Sequence, residues 1–213
     1  MAGTLNIAST LGVTGIVTLA NNLVMGDDDK IVLGAGSDLQ IYHDGSNSYV
    51  DDTGTGNLNL KGQNLKLLGS NDDTLVFAQQ GGAVTLYHNN AAKFASTATG
   101  VQVTGTALAT TDTDTSNTGN VTLDFAANQN FVLTLTGNTT LVNPSTEQVG
   151  QSGFIACIQD GTGSRTLSVG TDYETAGAAG ITLTTTAAAT DLVPYLVVAA
   201  NRILLGQPQL AFS

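Results

Sequence analysis

Two histidines, His43 and His88, are the only imidazoles in the 213-residue chain, and each follows a tyrosine, Tyr42 or Tyr87. Imidazole ligates metals and shuttles protons near neutral pH, so copies of either residue gathered around a shared axis would form a ring able to hold a metal or an anion. One His per chain per layer is a thin ligand set, and the plainer reading is a structural residue closing a repeated strand. Aspartates cluster as Asp27-Asp28-Asp29, Asp51-Asp52 and Asp72-Asp73. They offer oxygen ligands for Ca²⁺, but the Asp-x-Asx-x-Asx-Gly loop with its distal Glu is missing, and solvated turns account for them. The run Asp27 to Lys30 looks like a protease recognition sequence and is read as a chance match.

Other chemistry is weaker still. Gly161-Thr162-Gly163-Ser164 lacks the third glycine and the helix of a dinucleotide loop and is read as a hairpin turn. Both histidines fall in the repetitive half and no nucleophile elbow accompanies a serine. A glycan-cleaving spike needs two carboxylates placed ~5–10 Å apart, and it would also draw on aromatic platforms, where this chain has no Trp and 5% aromatics. Cys157 lies between Ala156 and Ile158 in an apolar run and reads as a small core residue. A lone cysteine forms no internal disulfide and no thiolate zinc cage. The expectation is a non-enzyme with no catalytic, cofactor or metal residues and no cofactor.

Composition narrows the class further. Charged residues make up 11% of the chain, against ~25% in ordinary domains. Six Lys and Arg face 17 Asp and Glu, for a net charge of −11. Scattered cations in a net acid do not neutralise a phosphate backbone, so nucleic acid is excluded as a partner. No apolar run is long enough for a membrane helix, and the first 26 residues, though uncharged, lack the basic start of a secretory signal. Length allows one or two domains.

Strands must carry whatever the chain does. Asn57-Leu58-Asn59-Leu60-Lys61, Leu65-Lys66-Leu67, Val84-Thr85-Leu86-Tyr87 and Val101-Gln102-Val103-Thr104 alternate apolar and polar residues and end near Gly, Asn or Asp. Amphipathic helical spacing is missing, and the abundant Thr and Val stiffen χ1 in a way that suits pleated sheet. The first half is repetitive. Leu39-Gln40-Ile41-Tyr42-His43-Asp44 returns as Val84-Thr85-Leu86-Tyr87-His88-Asn89, 45 residues on, and the flanking Asp pairs and Thr/Gly tails match as well. A partial third unit opens the chain, where residues 8–15 echo residues 95–105. Each unit holds few large apolar side chains. A buried one contributes roughly 1.5–3 kcal/mol while ordering each residue costs ~1–2 kcal/mol, so identical chains are expected to complete the core.

The second half is richer in apolar runs. Val121 to Phe125, Phe131 to Leu135 and Phe154 to Ile158 read as strong strands, and Asp160 to Ser164 reads as a tight reversal into Arg165 to Val169. Leu192 to Ala199 and Ile203 to Leu205 bracket a hairpin, with Pro194 marking an edge or a bulge. About eight short strands are expected over residues ~118–213, in a β-sandwich or jelly-roll-like domain. The fold class is therefore all-β: a slender repetitive region over 1–109, a linker over 110–119, and a sandwich-like domain over 120–213. Loops near Thr171-Asp172-Tyr173-Glu174 and Asn201-Arg202 are the contacts such a domain would offer a ligand.

The segment Gly34 to Val50, the unit ending Gly100 to Thr106, and the stretches Asn130 to Thr139 and Gln159 to Leu167 resemble repeats and distal modules of tail-fibre-type virion structural proteins of bacteriophages, especially marine ones. That resemblance spans most of residues 27–213. It implies a homotrimer whose amino-terminal region attaches to other virion proteins and whose far end projects toward a host-surface glycan or protein. The location it implies is the virion, after synthesis in the host cytoplasm without a signal peptide. The alternatives are a capsid-decorating protein without a receptor and, from another class, a glycan-degrading tailspike.

Overall fold

The structure is a computed structural model and describes residues 10–212. Residues 8 and 9, which begin the partial third repeat, lie outside the described residues. Sixteen strands and one short 3-10 turn (Ala176–Ala178) make up its regular structure. The chain is all-β, and among the described residues no helix is long and apolar enough to cross a membrane. It divides into two compact units, residues 1–100 and 101–213.

The first unit contains β1 (Ile31–Leu33), β2 (Leu39–His43) and β3 (Ser48–Asp52), an antiparallel three-stranded sheet. A five-stranded sheet follows in chain order: β4 (Asn64–Leu68), β5 (Thr74–Gln79), β6 (Val84–His88), β7 (Ala91–Thr97) and β8 (Gly100–Val103), whose last three residues fall past the unit boundary at residue 100. The repeat seen in the sequence is a repeat of strand register. Ile31 pairs Ile41 and Leu33 pairs Leu39 in the first sheet; Val76 pairs Leu86 and Ala78 pairs Val84 in the second, each 45 positions on.

The two copies differ at the following turn. Four residues, 44–47, join β2 to β3, folded around the Asp44 carboxylate, which accepts from the Ser46 and Asn47 amides at 2.9 and 2.7 Å and from the Tyr49 hydroxyl at 2.8 Å. Asn89 and Asn90 alone join β6 to β7, both at positive φ (49° and 56°), the backbone of a tight two-residue hairpin. A register shift between Leu86 and Tyr87 absorbs part of the difference. The Asn57 to Lys61 run, expected as a strand, forms none: alternation alone does not make a strand where no neighbour supplies ladder partners, and β4 begins only at Asn64.

This unit has no apolar core of its own. Among its described residues only Thr85 is buried, while Val50, Leu67 and Leu75 stand 55%, 51% and 49% exposed.

The second unit is built the other way round. Its strands are β9 (Thr111–Val121), β10 (Asn130–Leu141), β11 (Ser152–Gln159), β12 (Leu167–Val169), β13 (Tyr173–Thr175), β14 (Thr190–Ala199), β15 (Arg202–Leu205) and β16 (Gln209–Phe212). Residues 111–119, expected within a linker, belong to β9, which pairs in parallel with β10 from Thr111–Asn130 to Val121–Leu141. Its Thr, Asp, Ser and Asn are the polar dress of an edge strand rather than of a loop. Asn117 sits at a break in that register, buried, its Nδ2 donating to the Asp114 and Thr134 carbonyls.

Strand order runs β12-β10-β11-β14-β15-β13, with β9 on β10 and β16 on β14. Strand β12 shares one edge of β10 with β11 while β9 holds the other edge, and β12 and β13 are consecutive in the chain, separated by residues 170–172. Gly170 N donates to Leu141 O on β10 and Ile203 N on β15 donates to Asp172 O, both at 2.7 Å. The 170–172 segment thus ties β10 to β15, and the sheet encloses Phe131, Leu133, Leu135, Ile155, Cys157, Val193, Tyr195, Val197 and Ile203. A jelly roll is built of antiparallel strands; here β10 runs parallel to β9, β11 and β12.

Two expectations change with that topology. Val121 to Phe125 is not a strand beyond Val121. Leu123 and Phe125 lie in the crossover that parallel pairing of β9 and β10 demands, and they plug the core, 1% and 2% exposed. Residues 160–166 do not reverse the chain into a hairpin. Strands β11 and β12 both run parallel to β10, along successive stretches of its edge (Phe131 to Leu135, then Thr139 to Leu141), so the loop leaves the sheet and rejoins it in the same direction. Pro194 falls where the outer neighbour of β14 changes from β15 to β16, so its missing N–H interrupts no ladder there.

Candidate functional site

The parallel pairing of β13 with β15 sets Glu174 beside Leu204 and brings together the two loops singled out in the sequence, 171–174 and 201–202. Arg202 donates to Glu174 through both arms of its guanidinium, Nε to Oε1 at 2.8 Å and Nη2 to Oε2 at 3.1 Å. That pairing holds the Glu174 carboxyl below its ordinary value and raises the Arg202 guanidinium. Asn143 fixes the loop from behind: its Nδ2 donates to Thr171 Oγ1 at 2.8 Å and its Oδ1 accepts from Asp172 N at 3.1 Å. Glu147 Oε1 accepts from Asn201 N at 2.9 Å and steadies the β14–β15 turn. Neither Asn143 nor Glu147 stood out in the sequence, because each acts across about 30 to 50 residues of chain through backbone groups.

Beside this cluster lies an open depression of about 730 Å³. Leu167 and Tyr173 contribute buried apolar surface, and Thr171, Glu174 and Thr175 contribute polar groups. Its far wall is the turn at 176–181, where Gly177, Ala178 and Gly180 all take positive φ. Burial, with smaller contributions from the charges of Asp172 and Glu147, pushes the Tyr173 phenol far above its ordinary value, leaving it neutral. The arrangement offers hydroxyls, one fixed ion pair and an apolar floor, the chemistry of a neutral polar ligand held by hydrogen bonds.

The neighbouring loop at 160–166 is organised by one carboxylate. Asp160 accepts from Thr162 N and Gly163 N at 3.0 and 2.9 Å and from Arg165 Nη2 at 2.8 Å. Buried Gln159 clamps its base, donating to Arg165 O and accepting from Arg165 N. Gly163, at φ 75°, is required there, because a Cβ would strike the backbone of Thr185 and Ala187. The Arg165 guanidinium, then the two amides, hold the Asp160 carboxyl at about 2. A depressed carboxyl stabilises the fold above its unfolded pKa, ~3.9, and loses that contribution as pH falls through the folded value. Carboxyl chemical shifts followed from pH 5 downward should show Asp160 titrating well below pH 3, and Arg165→Ala should move its midpoint up. A midpoint near 4 in the wild-type chain would contradict the loop geometry.

The remaining candidates are scattered. His43 and His88 end β2 and β6, exposed, at equivalent places in the two sheets, and His43 Nδ1 lies 3.1 Å from Ser48 Oγ. Asp28 and Asp72 take positive φ in turns (65° and 64°). Asp29 accepts from Gly26 N, Asp52 from Gly54 N, and Asp73 from the Asn71 and Asn90 side chains. Lys30 donates to Gln40 and lies 4.1 Å over the Tyr42 ring, which stacks on Tyr49. Among the described residues no group of three or more His, Cys, Asp or Glu side chains is gathered to hold a metal ion. Cys157 is buried, and burial, then the Asp191 charge, pushes its thiol up to about 12.

Comparison with protein-family models, with curated proteins and with solved structures finds no match to the chain.

Proposed function

We propose that this chain is a virion structural protein of a bacteriophage, a homotrimeric fibre-like appendage of the short tail-fibre type that contacts the host surface through its second unit. One observation carries the self-assembly: residues 10–100 bury a single side chain, Thr85, while residues 101–212 enclose a full apolar core. Sheets with Val, Leu and Ile exposed on this scale are ordered only when something covers them. Copies of the same chain are the simplest cover, since every copy carries the same need. The repeated register and the likeness of the repeats to phage fibre sequences support a fibre, and the hydroxyl-lined depression supports a glycan contact over catalysis.

Native mass measurement tests the assembly. Particles of three 21.6 kDa chains are expected, and a stable folded monomer overturns the reading. Imaging intact particles with a label on either terminus tests the location. Labels in tens or fewer copies at the tail fit the proposal, and hundreds over the capsid would make the chain a decorating protein instead. Release of oligosaccharides from host envelope glycans would make it a spike enzyme.

A further inference from the structure

Strands β11 and β14, which help enclose the core of the second unit, carry apolar residues on their outer face as well as on their inner one. A sheet with one face in water alternates apolar and polar residues, and unbroken apolar runs mark strands covered on both faces. Strand β14 buries Val193, Tyr195 and Val197 inward and turns Leu192, Pro194 and Leu196 outward. Strand β11 turns Phe154, Ala156 and Ile158 outward. Register aligns these into one patch: Val132 faces Ala156, Ala156 faces Leu192, Phe154 faces Pro194, and Leu196 faces Leu204. Phe154 and Leu196 protrude, 46% and 43% exposed. Depressions of about 470 and 300 Å³ flank them and meet at Pro194 and Tyr195.

We infer that this outer face of β10, β11, β14 and β15 is a self-association surface, covered in the assembled protein by a second copy of the chain. The inference rests on the proposal that the chain assembles with itself. Charge selects the occupant. Each chain carries −11, so copies repel wherever charged surfaces meet. The outward positions of β10, β11 and β14 (Asn130 to Thr134, Ser152 to Ile158, Thr190 to Val198) bear no ionisable group, so like chains approach there without that penalty. At the β15 margin of this face Arg202 is already paired with Glu174, so a partner recruited by charge would find no unmatched group on these strands. Edge-on pairing is disfavoured, since the edge strand β9 presents Asp112 and Asp114, which would meet their own copies.

The test places a thiol on the face of the full-length chain. Leu196→Cys, and Val132→Cys as a second variant, are compared with Thr171→Cys on the exposed rim of the depression. Buried Cys157 does not compete. Maleimide should modify Cys at 196 or 132 at least about 10-fold more slowly than at 171 in the native assembly and equally fast in denaturant, the behaviour of a site that reacts only on opening. A short bis-maleimide should join chains through 196 or 132 and not through 171. Rapid modification at both face positions in a chain whose native mass is oligomeric overturns this surface and leaves the fibre proposal standing. Protection without inter-chain cross-links overturns it too, since the cover is then not a copy. A monomeric native mass removes both proposals together.

Discussion

Truncating Phe131 to alanine is expected to destabilise the second unit by ~3–5 kcal/mol, the range for deleting a fully enclosed aromatic ring. Phe131 is 0% exposed and sits midway in the core, its ring 5.1 Å from Phe125 in an edge-on contact and 6.3 Å from Tyr195. Phe125 itself makes an edge-on contact with Tyr195 at 5.2 Å. Such aromatic pairs add ~0.5–1.5 kcal/mol beyond the area they bury. The loss is shared by three parts of the chain, since Phe125 belongs to the β9–β10 crossover and Tyr195 to β14. Denaturant unfolding followed by near-ultraviolet circular dichroism should show a lower midpoint at an unchanged slope. A shift below about 1 kcal/mol, the size expected at the surface, would mean that the ring is not enclosed.

Replacing Asp191 with alanine is expected to cost on the order of 3 kcal/mol, from buried donors left without an acceptor at ~1–3 kcal/mol each. Asp191 points inward from β14 and is 1% exposed. Its Oδ2 accepts from Thr184 N at 2.6 Å, and its Oδ1 accepts from Thr184 Oγ1 and Ala211 N, both at 2.8 Å. A buried carboxylate is tolerable only when so satisfied. It ties the loop before β14 and the terminal strand β16 to one buried carboxylate. Amide exchange therefore reads the effect directly: the Thr184 and Ala211 amides should lose protection in Asp191→Ala well before the amides of β10. Unchanged exchange at both positions would contradict the clasp. Asp191→Asn keeps one acceptor oxygen but turns an NH₂ toward the other donors, and should fall between wild type and Ala.

How much of this was legible in the sequence depends on the range of the interactions. Alternation located β4, β6 and β8, the repeat marked β2, and apolar runs located β10, β11 and β14. The register of the repeats was legible too, through Tyr42-His43 and Tyr87-His88. Strand β9 was not, because an edge strand dressed in Thr, Asp and Asn has the composition of a loop, and only pairing with β10 distinguishes them. Leu123 and Phe125 looked like strand residues since a core plug and a buried strand share one vocabulary. The candidate contacts at 171–174 and 201–202 lie about 30 residues apart in the chain. Their meeting depends on the parallel β13–β15 pair, which no local pattern encodes, and Asn143 and Glu147 were invisible for the same reason.

The matched registers of β1–β2 and β5–β6 bear on how such a chain changes length over evolutionary time. A block of 45 residues that reproduces its strand partners can be duplicated or lost without altering any other hydrogen-bond ladder. The two turns, residues 44–47 and Asn89-Asn90, show that the joint tolerates insertions and deletions, with a bulge taking up the slack. The number of such blocks can therefore change by gene duplication while the ladders of the second unit stay untouched.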